Sequence, residues 1–89
     1  FGIGNQKPVF LFKRLFLESP ARIVGEMHLK FIFSDSSKKN KIDGIWFNSL
    51  SFLKILKDHE TMDVVGAIDE NYFRGNRTMQ IIIKDIRVN

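Results

Sequence analysis

The sequence lacks cysteine and has only two prolines, two histidines, one tryptophan and one tyrosine among its 89 residues. Without cysteine, neither a disulfide framework nor a thiolate metal site can stabilise the fold. No run approaches the ~18 consecutive apolar residues of a membrane-spanning helix, and no secretory signal is visible. We therefore expect a cytoplasmic location and no contact with a membrane.

Groups that could perform catalysis are also scarce. His28 and His59 lie on different predicted elements, His28 as a surface residue and His59 beside a helix C-terminus, and no His/Asp/Glu spacing suggests a metal site. Asp69 and Glu70 are neighbours on a predicted strand and should point to opposite faces, which argues against an acid/base pair. We expect no catalytic residue, metal site or cofactor in this segment.

Apolar residues, by contrast, are abundant, with 44% hydrophobic residues and nine phenylalanines. A chain of this length forms one small domain with its own core. It starts at Phe1 and has the character of a domain excised from a longer protein, so we expect residues 1–7 to be a linker from a preceding domain and residues 8–89 to be the domain. The GxGN of FGIGN lacks the third glycine and the Lys-Ser/Thr of a phosphate loop, so a flexible turn is the better interpretation.

Hydrophobic periodicity predicts five strands and one helix. Residues 9–18 form a first strand with a bulge near Lys13 and Arg14, and residues 21–33 a second, with odd positions facing the core. Residues 42–48 form a third, in which Gly44 suggests a bend or bulge that would decide whether Trp46 faces the core or a ligand. Residues 48–58 carry a helical stripe about three turns long, capped by Asn48 or Ser49. Period two returns in MDVVGAID, with Met62, Val64, Gly66 and Ile68 on one side, and in TMQIIIKDIRV, with Met79, Ile81 and Ile83 inward.

This order predicts an all-β fold, a five-stranded OB-fold-like Greek-key barrel with one α-helix between strands 3 and 4. An open five-stranded sheet with one packed helix has the same order. Barrel closure is favoured because it removes exposed edges from strands this apolar.

The basic residues suggest a polyanionic partner, since 14 Lys+Arg against 10 Asp+Glu give a net charge of +4. OB-folds bind oligonucleotides on the face of strands 2 and 3 and on the loops beside it, and single strands need cations for phosphates and rings for bases. The predicted loop NYFRGNRT, residues 71–78, has both. The expected nucleic-acid-binding residues are Arg22, Lys30, Tyr72, Phe73, Arg74 and Arg77, with His28 on the same strand face.

Simpler interpretations stand beside these. Tyr72 or Phe73 could fold back over the end of the barrel and cap the core. The lysines of the loop at residues 34–41 are typical of a solvated surface. The domain could also be a structural or protein-interaction module with little nucleic-acid contact, or an RNA-binding module.

Five blocks in one order, FGIGN with KPVF, HLKF, IDGIWFN, DVVGAIDEN and GNRTMQIIIKDIR, resemble the C-terminal OB-type domain of the RecJ family. These are bacterial single-strand-specific 5′-to-3′ exonucleases of the DHH phosphoesterase class. The chain departs from the family in Gln6-Lys7-Pro8 and in Phe73, where the family commonly has tryptophan.

The resemblance implies a division of labour within a longer parent protein. Catalytic residues and manganese or magnesium belong to the DHH and DHHA1 nuclease domains, which would be the intramolecular partners of this domain. The OB domain would hold single-stranded DNA, as a monomer, in an enzyme of recombination and repair.

Overall fold

The structure is a computed structural model that describes residues 7–89, so the predicted turn in FGIGN lies outside the described residues. It contains six strands and one short helix. The strands are β1 (Val9–Leu17), β2 (Arg22–Val24), β3 (His28–Ser34), β4 (Lys41–Trp46), β5 (Thr61–Phe73) and β6 (Asn76–Val88). The helix, α1 (Leu53–Lys57), directly follows a 3₁₀ turn at Leu50–Phe52.

The strands form a mostly antiparallel sheet in the order β1-β5-β6-β4-β3-β2, in which β4 and β6 are parallel. β1, the first strand in this order, also pairs with β3, at Phe16 and Leu17. The pairings β1–β5–β6–β4–β3–β1 therefore form a closed ring, and β2 extends the edge of β3 beside the end of β1.

The core fills the inside of this ring. Leu29, Phe31 and Phe33 of β3 are at most 1% exposed, and the Phe31 and Phe33 rings stack with centroids 5.2 Å apart. Alternation along β3 puts these odd-numbered side chains on one face, as predicted. The helix completes the core with Leu56, and the other strands complete it with Trp46, Met62, Val64, Ile81 and Ile83. We call the opposite face of the sheet, which points away from this core, the outer face.

The predicted second strand is two strands, which is why the count is six rather than five. Gly25 and Glu26 have φ values of +59° and +71°, and the Met27 amide bonds back to the Gly25 carbonyl at 2.9 Å. This tight turn folds β2 against β3. The predicted burial of Ile23 and Met27 is wrong, since both are more than half exposed.

The helical segment is shorter than the predicted three turns. Leu56 is 3% exposed and Leu53 packs on the core, whereas Leu50 is 38% exposed. Ser49, the N-cap of the 3₁₀ turn, makes no capping hydrogen bond, because its buried hydroxyl donates to the Trp46 carbonyl at 2.7 Å. The N-cap of α1 is Phe52, which has no capping side chain. The predicted capping by Asn48 or Ser49 is therefore wrong. Among the described residues no helix is long and apolar enough to span a membrane.

Two predictions about strand irregularities have opposite outcomes. The bulge near Lys13 and Arg14 is present, because the β1–β5 register shifts between Phe12 and Leu15 and Arg14 has φ +53°. Gly44 is not a bulge, since the β3–β4 register is continuous. A Cβ at Gly44 would lie 2.7 Å from the Phe33 ring, so glycine is needed there for close packing. Trp46 consequently faces the core.

Candidate nucleic-acid interface

The predicted loop at residues 71–78 is a continuation of two strands. β5 and β6 stay paired from Asp69 opposite Gln80 out to Phe73 opposite Asn76. We call this outer part of the hairpin, residues 69–80, the arm. The turn at its tip has only two residues, Arg74 and Gly75, with φ values of +52° and +81°. Positive φ at both positions is typical of a type I′ turn, whose twist matches that of paired strands.

Tyr72 and Phe73 point to opposite faces of the arm, because consecutive residues on a strand alternate. They are 71% and 70% exposed, so neither ring caps the core. Register from β4 to β6 to β5 places Phe73 and Asn76 on the outer face, and Tyr72 and Arg77 on the continuation of the core face. The sequence put these residues in one cluster, and the structure divides them between two faces.

Tyr72 and Arg77 share one carboxylate. The Tyr72 hydroxyl donates to Glu70 Oε2 at 3.1 Å, and Arg77 Nη1 lies 4.0 Å from the same oxygen. These side chains are largely solvent-exposed, so the ion pair is worth about 0–1 kcal/mol. Glu70 therefore holds this cation and this ring only weakly, and a polyanion can replace it.

Phe73 and Arg74 form the tip on the outer face. The Arg74 guanidinium carbon lies 5.2 Å from the centroid of the Phe73 ring, within the range of a cation–π contact. A ring and a cation held together in this way can stack a base and bind its neighbouring phosphate.

Arg22 and Lys30 form a second basic group on the outer face. They are directly opposite each other across the β2–β3 pairing, and Lys30 is in turn opposite Ile45. The outer face continues from Ile45 to Ile82 on β6. Phe73 is opposite Asn76, which is six residues from Ile82 along β6. At ~3.4 Å per residue, the tip of the arm therefore lies roughly 20 Å from Ile82 along the strand. The two basic groups share a face but do not touch.

Acidic residues lie between these two groups. Asp43 and Gln80 are neighbours on the outer face, and Gln80 is opposite Asp69. Asp69 makes an ion pair with Lys7, and this hydrogen bond lowers the pKa of Asp69. The predicted opposite orientation of Asp69 and Glu70 is confirmed, because their partners lie on different faces of the arm. Asp43 is the carboxylate that a polyanion crossing this face would meet.

The lysine-rich loop at residues 35–40 lies next to the arm but is engaged in its own structure. Lys38 Nζ is 5.1 Å above the Phe16 ring, and Lys41 pairs with Glu18 at 3.5 Å. Hydrogen bonds from Ser37 and then Asn40 lower the pKa of Asp35 to about 2. Lys38 and Lys41 therefore have contacts within the domain, beyond the solvated surface expected from the sequence.

Sequence reasoning missed Phe47, which directly follows β4 and is 50% exposed. Its ring packs edge-to-face against His28, with centroids 5.2 Å apart. His28 is thus more than the plain surface residue expected from the sequence. The signal available was the alternation of IDGIWFN, which puts Phe47 opposite in orientation to Trp46.

Within residues 7–89 no three His, Asp or Glu side chains come together in a way that could hold a metal ion. The described basic and aromatic groups are suited to binding phosphates and bases, as set out above.

Comparison with known proteins adds a family and a fold. A family model described as the RecJ OB domain matches residues 1–85. Two curated relatives, the single-stranded-DNA-specific exonucleases RecJ of Salmonella typhimurium and Escherichia coli, are each 36% identical over 83 residues. The alignment covers 93% of this chain but 14% of each relative, so the chain spans a small part of their length.

A solved structure shares the overall fold. It is a mitochondrial single-stranded DNA binding protein from S. cerevisiae, which superposes with a TM-score of 0.71 over 93% of this chain and 95% of that chain. The two sequences are 13% identical, so this similarity concerns the fold alone.

Proposed function

Because this chain belongs to the RecJ OB domain family, we propose that it is the single-stranded-DNA-binding module of a RecJ-like 5′-to-3′ exonuclease. The module performs no catalysis itself. We also propose that the closed ring of strands is the five-stranded Greek-key barrel of the OB-fold, with β2 as an addition to it.

One observation carries the proposal: Phe73 and Arg74 at the tip of the arm are on the same face of the sheet as Arg22 and Lys30. A ring that is 70% exposed, with a guanidinium over it, is accessible to a base and to the neighbouring phosphate of a single strand. Single-stranded DNA that follows the outer face meets Arg74 at one end of this face and Arg22 and Lys30 at the other. Tyr72 and Arg77 complete the contacts where the strand passes around the arm.

In this proposal, the rest of a RecJ-like parent supplies the chemistry. Its DHH and DHHA1 domains hold the catalytic residues and the manganese or magnesium ions, and they are the intramolecular partners of this domain. The parent acts in the cytoplasm as a monomer, in recombination and repair. Binding is not sequence-specific, because stacking and phosphate pairing accept any base.

A protein-interaction module is the second candidate, and a specific feature favours it. Val9, Phe10 and Leu11 are three consecutive apolar residues, each at least 46% exposed. Within the described residues, the edge of β1 that faces away from β5 pairs with β3 only at Phe16 and Leu17. An apolar edge of this kind is a template for another chain.

Fluorescence anisotropy of a labelled oligo-dT at several salt concentrations distinguishes the two candidates. Four cations on four phosphates should give a slope of about −2.8 in log affinity against log salt, at −0.7 for each phosphate. Replacing Arg74 and Arg77 with alanine should weaken binding and reduce the slope by about 1.4. Unlabelled oligo-U in competition tests whether RNA is preferred.

The matched control removes the same charge elsewhere. Lys54 and Lys57 are exposed on α1, and their double alanine variant should leave the slope unchanged. If the chain fails to bind at low salt, or if both double variants behave alike, the nucleic-acid proposal is wrong and the interaction module is favoured.

A further inference from the structure

A second exposed ring lies on the outer face, at the end farther from the arm. Phe47 follows β4, next to Trp46, which is opposite Leu29 of β3. Continuing that register puts Phe47 beside His28, which agrees with the contact between their rings at 5.2 Å and an interplanar angle of 76°. An edge-to-face contact covers at most one face of the Phe47 ring, and half of the residue remains exposed.

His28 is itself held from two sides. The Asn48 amide donates to His28 Nδ1 at 2.9 Å, and Asn48 reaches this position with φ +56°. On the other side, a Cβ added to Gly25 would come within 3.3 Å of His28 Cδ2, so the turn between β2 and β3 closes against the ring. Because Nδ1 accepts, the neutral ring carries its proton on Nε2. The backbone thus fixes the imidazole against which Phe47 packs.

Two basic side chains already assigned to phosphates lie on the same face as His28. Lys30 is two residues from His28 on the same face of β3, and Arg22 is directly opposite Lys30. One oriented ring and two cations therefore occupy neighbouring positions. This combination repeats the chemistry of the tip at a second place.

We propose that Phe47 stacks a nucleobase of single-stranded DNA while Arg22 and Lys30 bind the adjoining phosphates, forming a second nucleotide subsite on the outer face. This inference rests on the proposed function and extends it. His28 is a positioning residue, which acts by orienting Phe47. The subsite lies eight residues along the sheet from Phe73, which corresponds to roughly 27 Å at ~3.4 Å per residue.

Phe52 shows what a purely structural ring looks like in this chain. It is 40% exposed, but its ring stacks on Trp46 with centroids 4.6 Å apart and planes at 27°. One face of the Phe52 ring therefore packs on the core residue Trp46. Among the described aromatic contacts, Phe47 has only the edge-to-face contact with His28.

The test is oligo-dT binding by the 89-residue chain with Phe47→Leu and Phe47→Tyr. Leucine keeps apolar volume but removes the ring, so affinity should fall about tenfold, with an unchanged salt slope because no phosphate contact is lost. Tyrosine keeps the ring and should bind within about twofold of wild type. Ile55→Ala, at a residue 51% exposed on α1, is the control and should have no effect.

Oligonucleotide length and photo-crosslinking give independent measurements. A strand must span roughly 27 Å to reach both subsites, and one OB fold binds about 4–16 nucleotides, so affinity should rise with length within that range and less steeply in Phe47→Leu. An oligonucleotide carrying 5-iodouracil should crosslink to Phe47. His28→Ala should reduce that crosslink without changing the salt slope.

The outcomes separate this inference from the proposed function. If wild type does not bind, both are wrong. If Arg74 and Arg77 variants weaken binding but Phe47→Leu binds like wild type and no crosslink forms at Phe47, only the second subsite is wrong. If Phe47→Leu lowers the melting temperature, the crosslink at Phe47 in the wild-type chain still decides.

Discussion

Replacing Phe73 and Tyr72 in turn with leucine determines which face of the arm carries DNA. Phe73 is on the outer face, with Arg74 over its ring, whereas Tyr72 is on the opposite face and donates to Glu70. We expect Phe73→Leu to weaken oligo-dT binding strongly. Tyr72→Leu should weaken it less, because its face is not continuous with that of Arg22 and Lys30.

The magnitude follows from the exposure of the ring. Phe73 is 70% exposed, so leucine removes a stacking surface and leaves the fold intact. One stacked base is worth about 1–3 kcal/mol, which corresponds to a loss of about 5- to 150-fold. The cation–π contact with Arg74 is worth about 0.5–1 kcal/mol at an exposed site, and this is the most that the free energy of unfolding should lose.

The assay is anisotropy of labelled oligo-dT at one fixed salt concentration, beside urea unfolding of each variant. Phe73→Trp is the control with a larger ring. It should bind at least as tightly as wild type, because it enlarges the stacking surface. If Tyr72→Leu costs more affinity than Phe73→Leu, the strand follows the other face and the argument from sheet register is refuted. Equal losses would place DNA around both sides of the tip.

Three further predictions concern charge, pH and packing. Glu70→Gln should tighten oligo-dT binding up to about fivefold, since it releases Arg77 from an ion pair worth about 0–1 kcal/mol. The lowered pKa of Asp35, about 2, stabilises the 35–40 loop above the ordinary carboxyl pKa, and this contribution should disappear between about pH 4 and pH 2. Gly66→Ala should cost up to about 3 kcal/mol in urea unfolding, because its Cβ would lie 2.5 Å from the Ile82 carbonyl oxygen.

Each of these has a control. Glu60→Gln removes a carboxylate remote from the arm and should leave affinity unchanged, and equal tightening by both would mean that only net charge matters. Protection of the 35–40 loop amides from exchange, measured relative to their intrinsic exchange rate at each pH, should lose its pH response in Asp35→Asn, and a response that persists would contradict the assignment. Gly75→Ala has open space but φ +81°, so it should cost less than Gly66→Ala, about 1–2 kcal/mol.

Strands with a regular alternation of apolar and polar side chains were predictable from the sequence. Alternation identified the inward positions of β3 and β5, including Phe31, Phe33, Met62 and Val64. The family resemblance was likewise carried by local blocks of sequence and is confirmed by the family model and the curated relatives. The mostly β character with one short helix followed from the same periodicity.

Two tight turns between strands were not predictable. The turn at Gly25 and Glu26 interrupts an alternation that looks continuous in sequence, and it leaves Ile23 exposed. The type I′ turn at Arg74 and Gly75 converts an expected loop into the arm. Both depend on positive φ angles, which residue type makes possible and only the surrounding strand pairing selects.

The sequence by itself determined that the chain carries the cations and aromatic rings that the proposed binding of single-stranded DNA requires, because charge and aromaticity are properties of residue type. Tertiary structure decided how they are grouped: Phe73 with Arg74, Tyr72 with Arg77 and Glu70, and Arg22 with Lys30 beside Phe47. The physical reason is strand pairing. Register fixes the face and the neighbours of every side chain at once, and a change of one residue in register would exchange the two faces.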